Sequence, residues 1–398
     1  MAHHGGRRRR GVVMRLVIGQ TGAPTAVVNR SVAGFLDASR EHEVLLARGG
    51  PDALVRAALD PLPPGGLPAG EVERGGSWLG GGRRATTPED VDAIVAGLAA
   101  RDVDGLCLVG GNGTMALLDA VARRATERGV ALRTAGIPKT IDNDLDGVDH
   151  APGYASAARF VSTVVQDIAR DHRAMTSIEP VRIVETMGRA TGWLALAATL
   201  PVTGDDEHVV HRVHLPELGF DVEEFLTDVA GLVERHGRAL VVVSEGVATD
   251  LTAAPIHAAN HTTLLVGGVA RRLAELVTTR LGLPARGEVL GVAQRCASHL
   301  VSAADAREAV EVGGLAAATL LDPAAPTAVM VGVQRRPGPG YRAHHPLVPL
   351  AEVAARVRTV PERWRRRDPA DLGDFHAWLA PLVTPQADST AAIALEAS

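Results

Sequence analysis

Lysine is nearly absent from this chain: of its 41 Lys and Arg residues, all but Lys139 are Arg. Aromatic residues make up only 3%, so Val, Leu, Ile and Ala must fill any core, and the aromatic platforms that hold single-stranded nucleic acid are excluded. The net charge of −5 comes from dispersed acids and bases and supplies no basic face for a phosphodiester backbone, so nucleic acid is not an expected partner. Cysteine is scarce too. Cys107 and Cys296 lie far apart in apolar, strand-like segments without CxxC or zinc-ligand spacing, which fits a reducing cytoplasm. No apolar run reaches the roughly 18 residues of a membrane helix, and no signal-peptide core follows the basic start. A cytoplasmic protein without membrane contact is expected.

What is present suffices for well-buried cores: 46% of the 398 residues are apolar, and the length favours two domains of roughly 150 to 250 residues. Met1 to Arg10 carries four consecutive Arg and reads as a disordered tail or an upstream start, with Met14 the alternative. Residues 1–14 are expected to stand outside the fold, as is a loose tail at 385–398. Pro61–Gly70 and Pro337–Gly340 read as solvent connections, and no internal repeat is present. Elsewhere short β-branched runs alternate with longer amphipathic stretches, the pattern of parallel sheets covered by helices on both faces. Strands are expected at Val12–Ile18, Val44–Ala47, Gly105–Val109, Ala131–Ile137, Val181–Thr186, His208–Val213, Ala239–Ser244, Glu288–Val292 and Ala328–Val333. Helices are expected at Val27–Ala38, Pro88–Ala100, Thr114–Arg128, Ser156–Arg173, Gly192–Thr199, Val222–Arg235, Thr262–Leu281, Ala303–Leu320 and Leu350–Val357. The fold class is α/β.

Polar and glycine-rich residues follow the strands, so the C-terminal sheet edge is the expected binding face. Gly110-Gly-Asn-Gly-Thr114 opens a helix, where bare backbone N–H groups and the helix dipole favour phosphate. A glycine turn that merely caps a helix has the same pattern, and no Gly-Lys-Ser/Thr follows to make a Walker A loop. Lys139 sits in Gly136-Ile-Pro-Lys-Thr-Ile-Asp-Asn-Asp144. A slim ammonium can touch one phosphate oxygen where an Arg fork cannot fit, although one surviving surface Lys could also arise by chance. Asp142 and Asp144 flank Asn143. Their spacing allows one carboxylate to take a proton while the other supports Mg²⁺, both of which phosphoryl transfer needs; an Asx-turn and helix cap is the plainer alternative. Arg189, in Met187-Gly-Arg-Ala-Thr-Gly-Trp193, could clamp a phosphoryl group or form a surface salt bridge with Glu185 or a nearby acid. Arg83, ending the Gly75–Arg83 loop, carries the same two readings.

Taken together, Pro138-Lys-Thr-Ile-Asp-Asn-Asp144, Gly110-Gly-Asn-Gly-Thr114, Met187-Gly-Arg189 with Gly192-Trp193, Ser244-Glu-Gly246 and Leu290-Gly-Val-Ala-Gln-Arg295 resemble the motifs of the 6-phosphofructokinases, ATP-dependent and pyrophosphate-dependent. Gln20-Thr-Gly-Ala-Pro-Thr-Ala-Val-Val-Asn29, Asp149-His-Ala-Pro-Gly-Tyr154 and Val360-Pro-Glu-Arg-Trp364 look most like the pyrophosphate-linked branch. The likeness runs from about Leu16 to Trp364. It implies two three-layer α/β domains with mostly parallel sheets and the active site in the cleft between them. Residues 15–153 with about 294–345 would form the phosphoryl-donor domain, and about 154–293 with about 346–384 the sugar-phosphate domain. A neighbouring subunit would complete the acceptor site, so a homo-oligomer, dimer or tetramer, is expected.

By position, the resemblance makes Asp142 the base for the sugar 1-hydroxyl, and gives Asp144 and Asn112 to Mg²⁺. Thr140, Arg189 and Lys139 would act on the transferring phosphoryl, with Gly22, Arg83, Gly111, Gly113 and Thr114 at the donor. Met187, Gly188, Glu245, Arg286 and Arg295, with Thr140, Asp142 and Arg189, match acceptor-binding positions. The implied reaction is Mg²⁺-dependent phosphorylation of fructose 6-phosphate to fructose 1,6-bisphosphate, a step of glycolysis.

Three departures stand out. Asn112 replaces an Asp that helps hold Mg²⁺ in many members, Pro180 an Arg that reaches a neighbour's sugar phosphate, and Val292 a His or Tyr at the acceptor. The donor signature is mixed as well. Pyrophosphate users tend to pair an Asp at the position of Gly113 with a Lys at 139, whereas ATP users tend to have Gly at both. Gly113 leaves space and neutral potential for the ATP α-phosphate, which favours ATP, with pyrophosphate as the alternative. A weakly catalytic sugar-phosphate-binding paralogue and a kinase of another phosphosugar are the competing functions; a pure binder, however, would have no need of Asp142 as a base.

Overall fold

The computed structural model describes residues 13–201, 209–247, 254–258, 261–265, 267–338, 340–354 and 356–384. Nearly all of the expected basic tail, the tail at 385–398 and the first residue of the expected strand at 208 lie outside the described residues. Within them the chain builds two main sheets and two two-stranded ribbons, Ala254–Ala258 with His261–Leu265 and Gln334–Arg335 with Ala343–His344. The larger has seven strands in the order Leu347–Pro349, Val329–Val331, Arg133–Pro138, Gly105–Gly110, Arg15–Gln20, Glu43–Ala47, Leu59–Pro61. Its five central strands are parallel, and one antiparallel strand closes each edge. The smaller sheet is parallel throughout, in the order Ala285–Val289, Val181–Thr186, Ala239–Ser244, Arg212–His214.

Both sheets are covered on two faces, which is why their strands read as continuous apolar runs. One face of the large sheet packs Leu16, Ile18, Cys107 and Ile137 against helices Val28–Ala38 and Ala303–Leu321. These two helices approach so closely that a Cβ on Gly34 would lie 2.1 Å from the Val310 carbonyl oxygen. The other face packs Val17, Leu106 and Leu108 against Pro88–Ala99 and Asn112–Glu127. On the small sheet, Ile183 and Val241 meet helices Val222–His236 and Val269–Leu281, while Val184 and Val242 meet Tyr154–Met175 and Gly373–Val383. The few aromatics gather in this last core, where Tyr154, Trp193, Trp364, Phe375 and Trp378 stack edge to face or tilted.

Several expected elements are corrected. The helix expected at Thr262–Leu281 begins at Val269, because His261–Leu265 pairs antiparallel with Ala254–Ala258 and Gly267 and Gly268, at φ 147° and 88°, break the chain direction. The strand expected at Glu288–Val292 is Ala285–Val289; Val292 instead caps the short helix Ala293–Cys296. Helix Gly373–Val383, with Pro381 inside it, has no counterpart in the sequence reading. Leu347–Pro349 returns to the large sheet and pairs antiparallel with Val329–Val331.

In the large sheet the strand order reverses at Arg15–Gln20, which lies between Glu43–Ala47 and Gly105–Gly110. Ligands of open α/β sheets sit at such a switch point, outside the carboxyl ends of the strands. There the loops after Gln20 and Gly110 meet the loops that leave the small sheet after Thr186, Ser244 and Val289. Among the described residues no helix is long and apolar enough to cross a membrane.

Candidate active site

A cleft of about 690 Å³ opens between these strand ends. Lys139 directly follows strand Arg133–Pro138, is buried, and donates from Nζ to the carbonyls of Thr21 at 3.3 Å and Ala23 at 2.6 Å. Gly22 makes this possible: its φ of 79° turns the 20–25 loop over the amine, and a Cβ there would lie 3.4 Å from Nζ. Burial and the neighbouring Arg83 lower the Lys139 pKa to about 8.

The next five residues hold the acids. Thr140 Oγ1 accepts from the Asp142 amide at 3.0 Å, and Thr191 Oγ1 donates to the Asp142 carbonyl at 2.9 Å. Asn143 takes a left-handed φ of 53° and accepts through Oδ1 from the Ala151 amide at 3.0 Å, which points the two flanking aspartates into the cleft. Burial, then the charge of Asp144, raises the Asp142 pKa to about 6 against the pull of Arg189, Arg83 and Lys139. Burial likewise raises Asp144, whose carboxylate accepts from Asn112 Nδ2 at 2.8 Å. Across the cleft, burial lifts Glu245 to about 7, opposed by the Gly188 amide, which donates to it at 3.4 Å.

The cations around these acids make no close ion pair. Among the described residues, no carboxylate lies within ion-pair distance of Arg83, Arg189 or Arg295, and Arg295 Nε is buried without a partner. Burial, with Arg189 and Arg295 as like charges, lowers the Arg83 pKa. Like charges gathered in a desolvated cleft repel unless an anion enters between them. The sequence alternative for Arg189, a pair with Glu185, is not formed. Glu185 is buried and instead accepts from the amides of Gly268 and Ala270, both at 3.0 Å, capping helix Val269–Leu281.

The cleft brings together Gly22, Arg83, Gly111, Asn112, Gly113, Thr114, Lys139, Thr140, Asp142, Asp144, Met187, Arg189, Glu245 and Arg295. Gly188 lies just behind them at φ 128°, accepting through its carbonyl from Ser244 Oγ. Arg286 is the exception. It does not line the cleft of its own chain; its Nε donates to Glu179 Oε2 at 2.9 Å from the exposed outer strand of the small sheet. Sequence reading gave no role to Gln294, which is buried and accepts through Oε1 from the Met187 amide at 3.1 Å, holding the 187–189 turn against the 290–295 loop. Its place inside the quoted Leu290–Arg295 motif was the available signal.

A model of the phosphofructokinase family matches residues 15–320. The chain belongs to the phosphofructokinase family. It is 37% identical over 345 residues to the sulfofructose kinase of Alkalicoccus urumqiensis, covering 86% of this chain and 89% of that protein. It is 32% identical over 388 residues to the pyrophosphate–fructose 6-phosphate 1-phosphotransferase of Rhodospirillum rubrum, covering 93% and 94%. The crystal structure of the pyrophosphate-dependent phosphofructokinase from Marinobacter aquaeolei matches with a TM-score of 0.80 at 26% identity, covering 94% of this chain and 93% of that one. Phosphofructokinases of this family are phosphotransferases, and so is this protein. The segment that follows residue 320, including Arg358, lies beyond the matched family region.

Proposed function

We propose that this phosphofructokinase is an Mg²⁺-dependent kinase that moves the γ-phosphoryl of ATP to the 1-hydroxyl of a fructose bearing an anionic group at C6. The observation that carries this reading is the meeting of the desolvated Asp142 carboxylate with Arg83, Arg189 and Arg295, none of them in a close ion pair, and with Lys139 in a single cleft. Asp142 takes the proton of the 1-hydroxyl, the freed oxygen bonds to the γ-phosphorus, and the bond to the β,γ-bridging oxygen breaks with its electron pair leaving on ADP. Arg189, Thr140 and Lys139 stabilise charge on the phosphoryl as it passes. Space for a nucleotide α-phosphate is supported by Gly113, where an added Cβ would have no atom within 4 Å.

The donor set suits a divalent ion. Asn112 Oδ1 is buried with no hydrogen-bond partner beside the Asp144 carboxylate, two oxygens of the hard kind Mg²⁺ takes alongside phosphate and water. Among the described residues no group of three or more His, Cys, Asp or Glu could hold a metal, which leaves most ligands to the donor phosphates and water. When bound, the ion would neutralise phosphate charge. Asn112→Asp should therefore lower the Mg²⁺ concentration for half-maximal rate by about threefold to tenfold; an unchanged or higher requirement would remove residue 112 from the ion's neighbourhood.

For the acceptor, a C6 sulfonate is the preferred reading. The side chain of Val292, which lines the cleft 63% exposed, offers no hydrogen-bond donor. Pro180, whose carbonyl accepts from His172 and Ala239, offers none either. A sulfonate carries one negative charge where a phosphate carries nearly two, so it loses less from two missing donors. The similarity to a protein named sulfofructose kinase supports the same acceptor. Fructose 6-phosphate is the second reading, favoured by Arg295 in the cleft and by Arg286, which would reach the site of a neighbouring copy in an oligomer.

A coupled turnover assay with sulfofructose and fructose 6-phosphate, each with ATP and with pyrophosphate, decides both questions. The expected result is kcat/KM at least about tenfold higher for sulfofructose, with ATP as donor. A preference for fructose 6-phosphate would transfer the reading to 6-phosphofructokinase, and absence of turnover in all four arms would leave a sugar-binding paralogue.

A further inference from the structure

Asp142 to Leu145 is held, residue by residue, from outside the loop that contains it. Thr191 Oγ1 donates to the Asp142 carbonyl at 2.9 Å. The next three positions are held by a segment beyond the matched family region: Arg358 Nη1 donates to the Asn143 carbonyl at 3.2 Å, the Arg358 amide donates to the Asp144 carbonyl at 2.8 Å, and Val357 bridges Leu145. The same Arg358 guanidinium lies 4.3 Å from the ring centroid of Trp193, a fully buried side chain. Trp193 opens the helix that follows Arg189 and is locked in the aromatic core by Trp364, Phe375 and Trp378. Two residues after Arg358, the Val360 amide donates at 3.1 Å to Glu217, which also accepts from the Gly192 amide at 3.1 Å.

Arg358 is thus joined to both halves of the candidate site, and it has no ion-pair partner among the described residues. A buried arginine with no carboxylate at ion-pair distance, feeling Asp149 and Asp146 only from farther off and fixed by one carbonyl and one indole face, is costly to hold unless the geometry it enforces is useful. We propose that Arg358 is a positioning residue that sets the separation between Asp142 and Arg189 by clamping the Asn143 carbonyl to the Trp193 indole. It touches neither substrate, and it rests on the reading of Asp142 as the base.

Arg358→Met keeps an apolar stem against Trp193 but removes the donor and the charge. Displacing a reacting group by about 1 Å can cost on the order of 10²-fold in rate, so kcat should fall about tenfold to a hundredfold while KM for donor and acceptor stays within about twofold. Arg358→Lys restores a cation and one donor without the planar fork and should recover part of the lost kcat. A kcat for Arg358→Met within about twofold of wild type, or a rise in KM at unchanged kcat, would overturn the proposal. Should Arg358→Met show no cooperative melting, Arg358→Lys decides: wild-type kcat in that variant overturns it. The two readings separate cleanly. A silent Asp142→Asn would sink the assignment of the base, whereas an inactive Asp142→Asn beside a fully active Arg358→Met would sink the clamp alone.

Discussion

Asp142→Asn is expected to lower kcat by about 10²- to 10⁴-fold with little change in acceptor KM. The substitution keeps the side chain's size, and the groups that fix its place act on the backbone: the Asp142 amide bonds Thr140 and its carbonyl bonds Thr191. What disappears is the capacity to take a proton at a site where Arg83, Arg189 and Lys139 hold the group charged against burial. Steady-state kinetics on both proteins, with melting temperature as a control for folding, measures this. A variant with kcat within a few-fold of wild type would exclude Asp142 as the base and would point to Glu245, a second desolvated carboxyl of the cleft that is not beside Asn112.

The parts of the site legible in the sequence are those whose chemistry is written in residue type beside a strand end. Lys139 is the clearest. Its ammonium donates to two carbonyls under the Gly22 turn, a place suited to a slim point charge rather than a broad planar fork. The strands Val181–Thr186 and Ala239–Ser244 were equally legible, being buried on both faces and bounded by glycine and polar residues. Where reading failed, distant partners were decisive. Thr262–Leu281 carries helical spacing, but pairing between Ala254–Ala258 and His261–Leu265 takes its first residues. Arg358 lies two positions before the Val360–Trp364 motif, but nothing in its own residue type marks its role. Its role depends on a carbonyl 215 positions away and on Trp193, contacts that no periodicity records.

Gly113→Asp is expected to abolish ATP use while sparing or improving use of pyrophosphate. The position tolerates the side chain. An added Cβ has no atom within 4 Å, and φ lies outside the left-handed region. Residue 113 is also the second residue of helix Asn112–Glu127, where a carboxylate is stabilised by the helix dipole, so the fold should not suffer. The carboxylate would stand at an exposed position on the cleft lining. There it repels the α-phosphate of a nucleotide and fills its space, while Lys139 still serves a donor with two phosphates. The comparison is kcat/KM for ATP and for pyrophosphate in both proteins, with melting temperature as the control. Retained ATP activity in the variant would place the α-phosphate away from residue 113, and a wild type that uses pyrophosphate alone would mean that the open space at Gly113 does not select the donor; in that case the lone lysine, shared with pyrophosphate users of the family, would be the stronger guide to donor choice.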